Sequence, residues 1–368
     1  MYQDHITRPT LLLDEKKARQ NMAEMAGKAD KAGIIFRPHF KTHQSAEIGN
    51  WFRDYGVSQI TVSSVDMARY FAERGWDDIT IAFPLNVRQL PAIAHLASQI
   101  TLNLLVDNAA VIRQLSQHLT APVNVWLEID AGYQRTGLPW DDLETITAVS
   151  HTIQTASNLR FAGLLAHAGN TYNARGKTAV LHIHQQTMQR FRQIKVHLQQ
   201  HDIQAAISIG DTPACSLLDD FTGIDEIRPG NFVFYDVMQM QIGACTAEQI
   251  AVAAACPVVS KYPDRHCIAL YGGAIHLSKE ALMRADGVVS YGRVALPTTD
   301  GWHLFPDDNY VYSLSQEHGL IRASASLLEQ VEIGDLLLVL PVHSCLTANL
   351  LKSYLTLDGR QISMADIH

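Results

Sequence analysis

Between about residues 30 and 240, short apolar runs alternate with segments of helical spacing, and the pair recurs eight times. The runs that read as strands are 34–37, 59–63, 78–83, 101–106, 123–129, 159–166, 205–209 and 226–235. Between them, 65–75, 109–119, 141–155 and 177–200 carry the period of a helix with one buried face. Eight β-then-α units over roughly 210 residues predict an α/β fold of the closed (β/α)8 barrel type. A doubly wound open sheet is the competing arrangement. Its dinucleotide-binding form needs G-x-G-x-x-G behind the first strand, and no such run follows residue 37.

Past residue 245 the texture changes. Apolar and alternating runs at 250–259, 266–271, 287–291, 320–325 and 335–342 are separated by turn formers such as Tyr262-Pro263-Asp264, Gly272-Gly273 and Pro306-Asp307-Asp308-Asn309. Helical periodicity is nearly absent, which predicts a C-terminal antiparallel β-domain. A chain of 368 residues also exceeds what one core usually supports. The expected division is a barrel over 21–244 and a β-domain over 245–368.

Charge and composition narrow the function. A formal net charge of −8 with no offsetting basic stripe argues against nucleic acid and anionic membrane as partners. No apolar run approaches the roughly 18 residues of a membrane span, and the first residues lack a signal-peptide pattern, so a cytoplasmic protein is expected. The five cysteines are scattered without a C-x-x-C pair. They predict no disulfide framework, and four of them read as packing residues.

In a (β/α)8 barrel, chemistry collects where strands end. The first strand leads into Arg37-Pro38-His39-Phe40-Lys41-Thr42-His43. A lysine there is held at fixed depth, and cationic neighbours would lower its pKa as an amine nucleophile requires. A solvated basic turn is the plain alternative. Four other exits are polar: Glu128 to Gly137, His167 to Tyr172, Ser208 to Pro213, and Arg228 to Asn231. At the last two, Gly210, Asp211, Thr212, Gly230 and Asn231 offer backbone N–H groups to an anion, although Asp211 or Thr212 reads equally well as a helix cap. Opposite a strand-end lysine, such a cup suits a ligand carrying both aldehyde and phosphate. Pyridoxal 5′-phosphate (PLP) is one.

In the β-domain, Pro341-Val342-His343-Ser344-Cys345-Leu346-Thr347 stands out. On a strand, alternate residues share a face, which would set the His343 and Cys345 Cα atoms roughly 7 Å apart. Imidazole with thiolate favours Zn2+ over hard cations, and two ligands leave positions open for water or substrate. Plain packing accounts for such spacing too. The patch Ser315-Gln316-Glu317-His318-Gly319 fits either a turn or a site.

In this order the motifs resemble the D-serine dehydratase and D-threonine aldolase family of alanine-racemase-like PLP enzymes. The resemblance runs from R-P-T-L-L-L-D (8–14) through R-P-H-F-K-T-H (37–43), E-I-D-A-G-Y-Q-R-T-G (128–137), H-A-G-N-T-Y (167–172), G-D-T-P (210–213), R-P-G-N-F-V-F-Y-D (228–236) and S-Q-E-H-G (315–319) to H-S-C-L-T (343–347). It implies that residues 1–20 lend a strand to the β-domain and that the protein is a homodimer. It also implies that Lys41 binds PLP covalently, that Tyr172 faces the pyridine nitrogen, and that His167 packs on the ring. Arg135 would meet the cofactor's phenolic oxygen or the substrate carboxylate, with Gly210, Asp211, Thr212, Gly230 and Asn231 as the phosphate cup. His343 and Cys345 would hold Zn2+ or another divalent metal. The aldolase branch carries H-C-D-P-T where this chain has H-S-C-L-T, which leans toward dehydration of a β-hydroxy D-amino acid. Retro-aldol cleavage is the alternative; a racemase or a non-catalytic PLP carrier stands further off.

Overall fold

The computed structural model describes residues 5–367. The chain forms two compact units: one comprises Ala23–Lys41, Ile48–Gly230 and the residues from Ala365 on; the other runs up to Met22, then takes Thr42–Glu47 and Asn231–Met364. Among the described residues no helix is long and apolar enough to cross a membrane.

The first unit is the expected barrel. Its parallel strands lie in the order Ile35–Phe36, Glu226–Ile227, Ala206–Ile209, Leu159–Ala166, Val123–Asp130, Thr101–Val106, Asp78–Pro84 and Ile60–Val62. The two ends of this row meet in a parallel bridge between His39 and Thr61. Thr61 N–H donates to the Pro38 carbonyl at 2.9 Å, and Phe40 N–H donates to that of Thr61 at 2.8 Å. On the other flank, His39 N–H reaches the Pro229 carbonyl at 2.9 Å. The segment behind Phe36 is thus paired on both sides, although Pro38 has no N–H to give. The last predicted strand is shorter than expected. It stops at Ile227, and Asn231–Val233 is a single 3-10 turn, because Pro229 and Gly230 interrupt the ladder.

A hydrogen-bonded girdle links the barrel strands. Arg37 donates from Nε to Glu226, from one terminal nitrogen to Asp78 and from the other to Gln59, each at 2.5 Å. Asp78 also accepts from Asn103 at 2.8 Å, and Asn103 from Asn124 at 3.1 Å. In the other direction, Ser208 donates to Glu226 at 2.7 Å and accepts from Arg228, which reaches on to the Ala166 carbonyl at 3.0 Å. Every barrel strand, or the residue beside it, is touched. Burial disfavours the Arg37 charge, but Glu226 and Asp78 more than offset it and hold its pKa above the ordinary value.

The second unit carries a ten-stranded sheet. Cys267–Tyr271, His318–Arg322, Tyr310–Leu314, Gly292–Thr298, Leu336–Pro341 and Val252–Tyr262 follow one another, and the last pairs back onto the first, closing a ring of six. Its core includes Cys256, Ile268, Val294, Ile321 and Leu337. Strand Thr10–Leu13 runs antiparallel to Val252–Ala255 and parallel to Ser353–Thr356, which pairs in turn with Gln361–Ser363. Leu11, Leu12 and Leu13 are all buried there.

The structure departs from expectation in one way and decides between two readings in another. The unit has helices, Ala274–Leu277, Ala325–Gln330 and Ser344–Leu351; the expected strand at 320–325 stops at Arg322, since Ser324 caps the second of them. And Ser315–Gly319 is a hairpin turn, with Ser315 N–H donating to the His318 carbonyl at 2.9 Å. The cysteines match the reading from sequence: all are free, and Cys215, Cys245, Cys256 and Cys267 are buried. Burial pushes the Cys256 thiol up to about 12.

Arg37→Leu removes one partner of a buried ion pair and strands Glu226, so it should destabilise the protein by about 3–5 kcal/mol. Urea unfolding monitored by circular dichroism checks this. A midpoint equal to the parent's would show that the girdle contributes nothing.

Candidate active site

In the barrel unit, Lys41 directly follows the last paired residue of the closing segment. Its neighbour Phe40 is fully buried, with the Phe52, Phe71 and Trp76 rings 5.1, 5.0 and 5.2 Å away. The two edge-to-face contacts add to the area term. Lys41 N–H donates to His39 Nδ1 at 3.3 Å, while its side chain is exposed. The backbone is therefore fixed and the amine presented. The expected cationic crowd is not there. Arg37 is spent on Glu226 and Asp78, and His39 uses Nδ1 as an acceptor. His43 is buried, accepts from Ser45 N–H at 3.1 Å, and is pushed by burial down to about 3, so it is neutral.

The next groups come from the Val123–Asp130 and Leu159–Ala166 exits. Asp130 Oδ1 accepts from the N–H groups of Gly132, Tyr133 and Gln134 at 2.8, 2.9 and 3.0 Å and so folds the loop back on itself. Gly137 closes it with φ +100°, where a Cβ would sit 2.8 Å from Asp130 N. Buried Glu128 accepts from Thr136 at 2.8 Å. Burial raises its carboxyl pKa, with Thr136 and Arg135 acting against the shift. The loop leaves Arg135 exposed, its guanidinium 5.6 Å from the Tyr133 ring. Tyr133 and Tyr172 flank His167 at 6.2 and 5.8 Å between ring centres. Gly169 is needed beside them, since a Cβ there would meet the Tyr133 ring at 2.3 Å. Burial, reinforced by the charges of Lys41, Arg135 and Arg228, pushes His167 down to about 3. It offers a neutral ring rather than a proton.

The anion cup is partly as expected. Asp211 caps the helix Thr212–Leu217, accepting from Ala214 N–H at 3.0 Å and from Thr171 at 2.9 Å, so its carboxylate is occupied; burial raises it to about 6. Thr212 N–H donates to the Tyr172 hydroxyl at 3.4 Å. The Thr212 hydroxyl is buried with no hydrogen-bond partner among the described residues, as a group awaiting an acceptor would be. Gly210 lies against Arg228, whose guanidinium would be 3.0 Å from a Cβ at that position. A phosphate fits this corner. Gly230 ends the barrel unit.

In the other unit His343 and Cys345, expected to hold a metal, do not lie on a strand. Leu336–Pro341 ends at the proline, and His343 is the cap residue of the helix Ser344–Leu351. The two side chains nonetheless meet. Burial works against the His343 charge, but the Cys345 sulfur, hydrogen-bonded to it, and Asp236 and Glu280 raise it to about 9. Among the described residues no group of three or more His, Cys, Asp and Glu could hold a metal. A nitrogen and a sulfur with open positions suit a borderline-soft ion such as Zn2+. Asn231 belongs here: its amide donates to Asp236 at 2.6 Å and Ser344 at 3.1 Å, and lies 3.6 Å from the Cys345 sulfur. That leaves only its main-chain N–H for an anion.

Sequence reasoning passed over Tyr133, Arg228, Asp236 and Thr42 as site residues. Each lay inside a motif already singled out, but a motif names residues without their direction. Pro341 was the available signal that the strand ends before His343.

Residues 13–237 match the alanine racemase N-terminal domain family, and residues 251–357 match the serine dehydratase domain. The chain is 26% identical over 373 residues to D-threo-3-hydroxyaspartate dehydratase of Delftia sp. strain HT23, covering 98% of this chain and 97% of that one. It is 27% identical to D-serine dehydratase of Dictyostelium discoideum (95% and 93% covered) and 24% identical to D-threonine aldolase of Arthrobacter sp. (93% and 86%). The solved Delftia dehydratase superimposes with a TM-score of 0.90 at 25% identity, covering 98% of each chain. A cysteine-to-alanine variant of a dehydratase of that name is in a metal-free form, and another variant replaces a histidine two positions earlier.

His43 gives a pH test. Its folded pKa of about 3 lies below the ordinary 6.5, so only the unfolded chain binds the proton between these values. Stability is full above pH 6.5 and falls below it. At pH 5.5 the loss should be about 1.4 kcal/mol relative to pH 7.5. Urea melts of the parent and His43→Asn at both pH values should differ by that amount; equal losses would show that His43 is not the group responsible.

Proposed function

Because the chain belongs to the alanine racemase N-terminal domain family and carries a serine dehydratase domain behind that barrel, we propose that it is a PLP- and metal-dependent lyase that dehydrates β-hydroxy D-amino acids to a 2-oxo acid and ammonia. The observation carrying the choice of reaction is His343-Ser344-Cys345, a nitrogen–sulfur pair two residues apart. It has the spacing of the histidine and cysteine replaced in the dehydratase variants. Near full-length coverage of two dehydratases supports the same reading.

Lys41 would hold PLP covalently, Tyr172 would face its ring nitrogen, and Gly210, Thr212 and the main chain at Gly230 and Asn231 would take its phosphate. When bound, PLP supplies an electron sink for the pair released at Cα. His343 and Cys345 would hold Zn2+, which supplies Lewis acidity toward the β-hydroxyl.

The chain's own residues do the rest. Lys41, freed when the substrate amine replaces it, takes the α-proton at Nζ. Its backbone does not shift meanwhile, because Phe40 and the barrel bridge hold it. His167, neutral, packs on the ring without adding a positive charge that would compete for the released pair. Arg135, exposed and free to swing, meets the substrate carboxylate or the cofactor's phenolic oxygen. The β-hydroxyl would leave as hydroxide, which with the proton taken from Cα makes up the water lost, and the released enamine hydrolyses to the 2-oxo acid and ammonia. A homodimer is part of the proposal; a single-chain mass by light scattering at working concentration would remove it.

Product analysis with D-threonine decides the reaction. Dehydration gives 2-oxobutyrate and ammonia; glycine with acetaldehyde would overturn it in favour of aldol cleavage. For the cofactor, Lys41→Ala should lose the visible absorbance of the bound PLP together with activity. An unchanged band would sink the assignment of that lysine.

A further inference from the structure

The residue after Lys41 has a separate task. Thr42 is fully buried, and its hydroxyl lies 3.3 Å from the Cys345 sulfur. The Asn231 amide approaches the same sulfur at 3.6 Å. Neither group is loosely placed. Asn231 is tied to Asp236, whose carboxylate also accepts the Ser344 N–H at 3.0 Å. The chain beyond Thr42 is pinned at its next two residues: the Tyr354 hydroxyl donates to the His43 carbonyl at 2.8 Å, and Gln44 donates to Asn349 at 3.2 Å. Gln44 adopts φ +46° to do so, a conformation that a non-glycine residue keeps only when its surroundings impose it. A valine would fill the Thr42 volume equally well, so what distinguishes threonine there is a hydroxyl within hydrogen-bond distance of the sulfur, able to donate to it when it is charged.

We propose that Thr42 is a positioning residue for the metal: its hydroxyl, with the Asn231 amide, fixes the direction of the Cys345 sulfur that takes up the ion beside His343. The inference rests on reading His343 and Cys345 as the metal pair. A hydrogen bond to a charged acceptor is stronger than a neutral one. Partners of this kind, one step removed from the ion, typically contribute 10- to 100-fold in metal affinity.

The test uses the PLP-loaded protein stripped of metal. It is titrated with Zn2+ against a chromophoric chelator, and with Co2+ followed at the sulfur-to-cobalt charge-transfer band. Thr42→Val should raise the Zn2+ dissociation constant about tenfold and move the cobalt band to longer wavelength, because an unbonded thiolate gives up its electron more readily. Thr42→Ser should restore both. Zn2+ affinity within about twofold of the parent, with the band unmoved, would overturn the proposal. If the valine variant does not fold, Thr42→Ala takes its place with the same two outcomes. A parent protein with no such band, or a band that survives Cys345→Ala, would refute the metal pair itself, so the two failures are distinguishable.

Discussion

A buried guanidinium organises the barrel. Arg37 reaches Glu226, Asp78 and Gln59 at once, and through them a relay of amides, carboxylates and a hydroxyl extends to every strand. Such a relay does not outperform a hydrophobic plug in stability, since desolvating the charges offsets most of their attraction. What it adds is directional: each donor has one acceptor at one register, and a strand that slipped by a residue would leave a charge without its partner. The segment that carries Arg37 also closes the barrel and presents Lys41. Register and the depth at which Lys41 is presented are therefore set by one run of residues.

Electrostatically, the rim is quieter than its composition suggests. Of the basic groups in the 37–43 motif, one is paired inside the girdle and His43 is held neutral. His167 is pushed down to about 3 as well. Lys41 and Arg135 are the exposed basic side chains of the 37–43 and 128–137 motifs. A site that handles a carboxylate substrate and an anionic cofactor gains selectivity by placing few cations where they are needed.

Much of this was legible in the chain. The expected strands at 101–106 and 159–166 coincide with Thr101–Val106 and Leu159–Ala166, because apolar runs between helical segments leave few readings. Four strands of the ring of six were visible as apolar runs. Gly292–Thr298 and Tyr310–Leu314 are mixed in polarity, and local pattern did not mark them as strands. The site was legible as a set of residues and illegible as directions. Arg37 looked like a neighbour of Lys41 and is turned to Glu226. Asn231 looked like part of an anion cup, and its side chain serves Asp236 and Cys345. His343 and Cys345 were expected on a strand and meet across a helix start. In each case the deciding partner is far away in sequence, which local periodicity cannot report.

The N-terminal strand Thr10–Leu13 sits between Val252–Tyr262 and Ser353–Thr356, and this has a bearing on how the chain matures. The barrel is built almost entirely from one continuous stretch and can close as soon as Gly230 has been synthesised. The three leucines of strand Thr10–Leu13 have no sheet to enter until residues more than two hundred positions later exist, and its parallel partner Ser353–Thr356 comes about a hundred residues later still. During synthesis an apolar ribbon must wait, and completion of the second unit depends on two strands more than three hundred residues apart in sequence coming together.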